Sequence, residues 1–479
     1  MKRKKFCKCL FTLLYALLLS LSVWEMIPAL AQAAGAEEGT ELQVEVTDAY
    51  TDAHGVTYSW YGYEDGTAEI YAFSFGEGDV VMEIPGSLGG YTVTKLAGET
   101  GAREIVSVTI PESIAAFGKS TFKDSTIGTV YYNAADAVTQ NSLYFSPFGY
   151  TEIGAFATGS KVEKLEGYLF YKTEFTQEEL ALEVPWVASI AFYETTFNKL
   201  VITDKVEMLE CKAIMDSEIQ YLYYDSPDAR VGVGSVSEGP FNSTVIWGLE
   251  FSERITEIPD FLFAYSDLKV KEMVFTQERI GTFAFADAWN TSTFDDGADM
   301  ADRITLAGDV KYLGEKAFAF CYIDELAIEC DMEDEVTDSL RSPFYNTAIY
   351  QLTVGQDVGR LPGYLFSYAH MKVSELTVST PYIGKGCFHG AWFTLDNNSS
   401  PVDLTITEDV GYIEASAFSR NKISRLKYET NAENGAKSSL DAVFSNSEVG
   451  ELIIGSQVES IQPLLFAYVE LVQIGRAHV

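Results

Sequence analysis

The sequence predicts a strand-rich solenoid with little helix, in which short coils stack on one another around a shared interior. Two observations carry that expectation: aromatic anchors at a fixed spacing, and a short alternating apolar stretch ahead of each anchor. A third, the charge balance, narrows what such a molecule does.

The anchors come first. Phe148, Phe241, Phe344 and Phe444 are each followed, 22 residues later, by Phe170, Phe263, Phe366 and Phe466. A third member follows after 22 more at Phe192, Phe285 and Phe388. Adding Phe122, Ile214, Phe318 and Phe418 gives fifteen anchors between residues 122 and 466. The four-anchor set recurs after 93, 103 and 100 residues, which points to duplication of a four-unit module. A fixed period of this kind places the Phe rings inside a coil rather than on a ligand-stacking face.

The strands come next. Leu200-Val201-Ile202, Met273-Val274-Phe275, Leu352-Thr353-Val354, Leu376-Thr377-Val378 and Leu452-Ile453-Ile454 alternate with period two and are rich in β-branched residues. That pattern reads as a short strand with one buried face. A turn follows, then V-x-x-[Ile/Leu], as in Val310–Leu313 and Val410–Ile413, and then the Ala-Phe pair. One such unit cannot cover its own apolar side, so neighbours must stack to do it.

Composition bounds the rest. The 479 residues hold 33 Lys+Arg against 70 Asp+Glu, a net charge of -37, with 47% apolar residues. Ample core material excludes wholesale disorder. The acidity argues against nucleic acid, since phosphate contacts need basic surfaces. Four His and six Cys leave little for metal or nucleophile chemistry.

Both ends are set apart. Lys2, Arg3, Lys4, Lys5 and Lys8 precede an apolar run from Leu10 to Val23 and the small-residue sites Ala29-Leu30-Ala31 and Ala31-Gln32-Ala33. This is the layout of a secretory signal peptide, assigned to residues 1–33, and the run falls short of the ~20 residues a membrane span needs. Export then implies a secreted or cell-surface protein. Its four remaining cysteines, Cys211, Cys321, Cys330 and Cys387, are expected as buried free thiols. At the other end, Ile474-Gly475-Arg476-Ala477-His478-Val479 is what ATC-GGA-AGA-GCA-CAC-GTC encodes, a common sequencing-adapter string. Residues 474–479 are therefore expected to be an artefact that interrupts a longer array.

The pattern Ile-Pro-x-x-Ile-x-x-Phe-Gly-x-x-Thr-Phe, from Ile110-Pro111 through Gly118 to Phe122, resembles the BspA-like leucine-rich repeat. Cys321, three residues after Phe318, falls where that family often has a core Cys. Gly55-Val56-Thr57-Tyr58, Glu64 to Ile70, Ile84-Pro85 and Gly90-Tyr91-Thr92-Val93-Thr94 are similar to the hairpin cap that opens these arrays. The resemblance covers about residues 50–473. It implies a leucine-rich-repeat solenoid of the α/β-horseshoe class, with a β cap over 34–97 and about fifteen coils over 98–473. It also implies a surface protein that adheres to macromolecules. The degenerate units, with Ile214 for Phe and Phe156 to Thr158 as a strand, and the insert near Asn290–Asp302 leave local register open.

Candidate sites follow from that frame. If Leu and Ile point inward, their neighbours face outward along a concave wall: Tyr131, Tyr221, Tyr223, Glu272, Glu325, Glu375, Arg425 and Lys427, with Thr129, Thr276, Glu329, Thr353 and Thr377 beside them. Tyr offers a large contact area, a polar tip and little rotamer entropy to lose. His389 near Cys387 has no regular third partner, and no catalytic motif is present, so no catalytic residue and no cofactor are assigned. His54 and His370 read as loop residues. The acidic groups Asp295, Asp296, Asp299 and Asp302, and Asp331, Glu333, Asp334 and Glu335, lack regular calcium-loop spacing and read as solvated loops, so no metal is assigned. The expectation is a monomeric, non-catalytic scaffold for an extracellular protein or glycan. The alternative is a structural or targeting arm of a larger secreted protein, possibly an enzyme.

Overall fold

A computed structural model describes residues 42–290, 300–393 and 401–476. Residues 1–33, expected as a signal peptide, Asp295, Asp296 and Asp299 of the insert, and residues 477–479 lie outside the described residues.

The chain opens with an antiparallel meander. Val44–Thr51 pairs with Val56–Tyr63, which pairs with Thr67–Phe75. The second reversal is tight: Gly66 sits at φ 81°, open to glycine at little cost, and Asp65 Oδ1 accepts from Thr67 N at 2.9 Å. Thr67–Phe75 then pairs in parallel with Tyr91–Leu96, and Tyr91–Leu96 with Ala116–Phe117, which starts the stack. The concave sheet begins before the first anchor, where Val81–Glu83 pairs with Glu104–Ile110.

From there most coils have three parts. The first is a concave-wall strand, parallel to its neighbours, as in Thr126–Tyr132, Thr196–Ile202, Glu218–Tyr224, Tyr322–Ile328 and Lys422–Tyr428. Alternation holds along them: in Glu218–Tyr224, Ile219, Leu222 and Tyr224 are buried while Glu218, Gln220 and Tyr221 are exposed. The second part is a two- or three-residue strand from the V-x-x-[Ile/Leu] stretch; Lys164–Leu165, Trp186–Val187, Met208–Glu210 and Arg230–Gly232 form one such parallel run. The third is a tight turn around the anchor.

The anchors form a ladder. Phe122, Phe148, Phe170 and Phe192 stack with ring centroids 5.0 to 5.3 Å apart. The ladder resumes at Phe241 and runs through Phe263, Phe285, Phe318, Phe344, Phe366, Phe388, Phe418 and Phe444 to Phe466 at 5.1 to 5.4 Å. Ile214 fills the missing rung, fully buried but without a ring. In many coils a hydroxyl three residues after the anchor ties the coil to the one before, while Ala288, Ala369, Ala391 and Val469 hold the slot elsewhere. Thr173 Oγ1 donates to Phe148 O at 2.7 Å, Thr195 Oγ1 to Phe170 O at 2.8 Å, Ser217 Oγ to Phe192 O at 2.7 Å, and Ser447 Oγ to Phe418 O at 2.9 Å. Cys321 holds the same slot, its thiol 3.1 Å from Phe285 O.

The turns have a conformation that composition does not announce. Among the described residues, all 24 non-glycine residues with positive φ lie two positions before or two after an anchor, such as Ile190 and Glu194 around Phe192. Gly386 and Gly390 flank Phe388 in the same way.

The concave ladder is not uniform. In three modules the strand after Phe170, Phe263 or Phe366 carries two extra residues: Phe175 to Leu180, Leu268 to Met273 and Met371 to Leu376 are each five positions apart. The equivalent step is three in Ile153 to Phe156 and Phe197 to Leu200. Pairing survives ahead of the extra residues, as in Ile153 with Phe175, but lapses after them. Phe156–Thr158 pairs only with Thr126–Tyr132, and Leu180–Leu182 only with Thr196–Ile202. The same lapse separates Leu249–Phe251 from Glu272–Phe275, and the end of Ala348–Val354 from Glu375–Val378. In the fourth module the step is three again, and Glu448–Ile454 pairs with Glu470–Arg476 along its length. There Ile474 lies opposite Leu452 and Arg476 opposite Ile454.

Candidate functional site

The register sorts the outward residues of the concave wall into two columns. One runs through Lys199 and Tyr221, then Glu272, Arg303, Glu325 and Gln351, then Glu375, Asp403, Arg425 and Glu451. The other holds Thr109, Tyr131 and Ala157, then Ala181, Val201, Tyr223 and Glu250, then Thr377, Thr405 and Lys427. All eight wall residues singled out from the sequence therefore stand on one face, in these two rows.

Tyr221, Tyr223, Glu325, Arg425 and Lys427 are tied into side-chain networks. Tyr221 donates its hydroxyl to Glu250, one coil on, and that bond pushes its phenol up to about 12. Lys199 sits 5.9 Å from the ring centres of both Tyr221 and Tyr223, and pairs with Glu179 at 2.8 Å. Arg303 bridges to Glu325 at 3.2 Å, and Thr353 Oγ1 donates to Glu325 at 3.4 Å. Arg425 reaches both Asp403 at 3.3 Å and Glu451 at 3.2 Å, and Lys427 pairs with Glu429 at 2.7 Å. Each is an exposed pair, which fixes orientation more than stability.

Sequence reasoning missed Trp247, which is half exposed beside Tyr221 and donates its indole N–H to Glu218 at 3.1 Å. Gly248 hides it, because the glycine splits the strand into Val245–Ile246 and Leu249–Phe251 and breaks the alternation. The glycine is needed there: a Cβ on it would lie 2.7 Å from the Tyr221 ring. Tyr221, Tyr223, Trp247 and Lys199 thus make one aromatic and cationic patch rimmed by Glu179, Glu218 and Glu250.

The remaining candidates settle as structure. The Cys387 thiol is wholly buried, and burial drives it well above its ordinary range, away from the thiolate a nucleophile needs. His389 turns elsewhere: Nδ1 lies 2.5 Å from Ser419 Oγ and Nε2 3.1 Å from the Tyr368 hydroxyl. Ser419 donates on to Ser416 O at 2.9 Å, so its proton points away from the imidazole. Burial, helped by the nearby Arg420 charge, lowers His389 to about 4. His370 is corrected from loop to strand, since it opens His370–Met371, whereas His54 lies in the exposed first turn. Three of the four cysteines are buried free thiols, but Cys211 is only half-buried.

The acidic group at 331–335 lies on a largely exposed loop, as the sequence predicts, and some of its carboxylates also cap backbone. Asp331 Oδ1 accepts from Gly359 N at 2.7 Å and Arg360 N at 3.0 Å, and Asp334 Oδ1 from Gly363 N at 2.5 Å. Glu335 pairs with Arg279 at 2.9 Å. Of the other group, Asp302 is exposed on the strand Ala301–Leu306. Among the described residues, no three His, Cys, Asp or Glu side chains are grouped to hold a metal ion, and no helix is long and apolar enough to cross a membrane.

With this geometry in place, comparison with known proteins adds a family. The model of the BspA type leucine rich repeat region matches in six copies, over residues 100–184, 187–302, 290–397 and 344–473. The chain is also similar to three solved structures. A leucine-rich repeat protein from Bacteroides ovatus is 12% identical, with 91% of this chain and 100% of that one covered, at a TM-score of 0.40. A leucine rich cell surface protein from Faecalibacterium prausnitzii is 13% identical, with 82% and 99% covered, at 0.27. The pneumococcal vaccine antigen PcpA is 12% identical, with 91% and 100% covered, at 0.24. No curated protein matches.

Proposed function

Since the chain belongs to the BspA-type leucine-rich repeat family, we propose that it is a cell-surface or secreted scaffold that binds an extracellular protein or glycan through its concave wall. The observation that carries this is the Tyr221, Tyr223, Trp247 and Lys199 patch, where large amphipathic rings stand outward on a rigid strand array. Aromatic side chains held by a stiff frame lose little entropy on binding and dominate contact energetics. The surrounding carboxylates, in a chain of net charge -37, favour a partner with basic groups facing the wall. The basic, apolar start of the chain supports export, and the array is read as monomeric, without a cofactor.

The test is capture by the full-length chain on a panel of immobilised extracellular proteins and glycans, repeated with Tyr221→Ala/Trp247→Ala. Capture that drops at least about tenfold in the variant supports the concave-wall reading. Undiminished capture moves the interaction to another face. A chain that captures nothing leaves the reading of a targeting arm.

A further inference from the structure

We propose that the first lapse in the concave wall is a seat for an aromatic side chain carried on an extended, basic segment of a partner protein. This deepens the scaffold reading and rests on it.

The three lapses have one cause, a two-residue insertion, but they are filled differently. In the second module Phe251 and Phe275 hold the inward positions on either side of the lapse. Phe251 packs 6.0 Å from Phe263, and Phe275 packs 5.1 Å from Phe285 and 5.4 Å from Phe318. The first module has Thr158 and Leu182 at those positions, as register shows: Tyr132 pairs with Thr158 as Tyr224 pairs with Phe251. With two rings absent, a cleft of about 270 Å³ remains, floored by Phe156, Leu165, Leu182 and Val184. That volume suits one large side chain better than a cofactor or drug-sized ligand.

The surroundings define what would carry the ring. Phe156 N–H, lacking a strand carbonyl across the lapse, donates to Gln177 Oε1 at 2.6 Å. A side-chain amide is a replaceable partner, so this lip offers main-chain hydrogen bonding to an extended segment. Between Tyr131 and Tyr223 the column holds only the small Ala157 and Ala181 and the buried Val201, so no large exposed side chain covers the lip. Glu179 and Glu183 line the rim. Their pairs with Lys199 at 2.8 Å and Lys205 at 3.1 Å are exposed and exchange readily for a partner's cations. An aromatic anchor flanked by Lys or Arg complements apolar floor, open lip and acidic rim together.

The probe is the peptide Lys-Thr-Lys-Trp-Lys-Thr-Lys with fluorotryptophan at its centre, titrated into the full chain and followed by fluorine NMR. The expected result is a saturable shift that unlabelled Trp peptide reverses at concentrations at least about tenfold lower than the unlabelled Trp→Ala peptide needs. Thr158→Phe/Leu182→Phe installs the pair that the second module already accommodates and should weaken binding as much, with no fall in thermal midpoint. Ala157→Arg, an exposed change above the cleft, provides the same readout if the double variant folds poorly. Equal binding by the filled variants, equal binding of the Ala peptide, or no binding to the wild type overturns the proposal. A filled variant that binds no peptide but keeps the wild-type capture profile supports the seat as one contact among several. A wild type that captures partners while ignoring the peptide sinks the seat and leaves the scaffold reading intact.

Discussion

At the scale of single residues, the interior is held by groups whose roles differ in how far the sequence reveals them. The Phe anchors were legible because a 22-residue recurrence survives any local noise. The hydroxyls three positions later were not, since Ser, Thr, Cys, Asn, Ala and Val share the slot and no single letter holds it throughout. Thr195→Val keeps shape but strands the buried Phe170 carbonyl, and should destabilise by about 1–3 kcal/mol in urea titrations. The left-handed turns were equally hidden, because Lys, Tyr, Ser and Ile occupy positions that favour glycine. Lys212, at φ 56°, is such a residue, and Lys212→Gly should raise stability by about 1 kcal/mol. His389 gives a pH signature. Its folded value near 4 lies below the usual 6.5, so between those limits the unfolded chain binds more protons. Stability should therefore fall as pH drops from 6.5 towards 4, by up to about 3 kcal/mol. His389→Gln should flatten that part of the profile; an unchanged slope would show that carboxylates alone set it.

At the scale of elements, alternation located most concave strands, and the outward columns carry the eight main wall residues chosen from it, whereas Thr276 and Glu329 lie just past their strands' ends. It failed where the chain count changes. Gly248 hid Trp247, and the two extra residues after Phe175, Leu268 and Met371 read only as degeneracy, although the step from three to five was countable. The physical reason is that a parallel ladder tolerates no unequal step: surplus residues must bulge, and the strand beyond loses its partner. Deleting Gln177 and Glu178 restores the shorter step. Amide exchange at Phe156 and Thr158 should then slow as Leu180–Leu182 comes into pairing. Unchanged exchange would mean that the splay has another origin.

For the whole molecule, stability is close to a sum of coil and interface terms, so the weakest interface decides where unfolding starts. That interface is expected between Phe192 and Phe241, where Ile214 interrupts the ring ladder and the short-strand face breaks as well. The second break of that face, between Tyr312–Leu313 and Arg360–Leu361, lies where the ladder is unbroken. Hydrogen exchange in mild denaturant should resolve two blocks divided there, whereas a single cooperative transition along the array would contradict the division. The repeat arithmetic made the solenoid legible from one sequence. It could not place partners, because binding residues need not keep the period. The central claim, that ligands meet the concave wall, is tested most directly by hydroxyl-radical footprinting of the full-length chain with and without a captured ligand. The expected result is protection of Tyr131, Tyr221 and Trp247, with Tyr150 and Tyr265 on the anchor turns unchanged. Protection confined to the anchor turns, with the three wall aromatics still oxidised at their free rate, would contradict it.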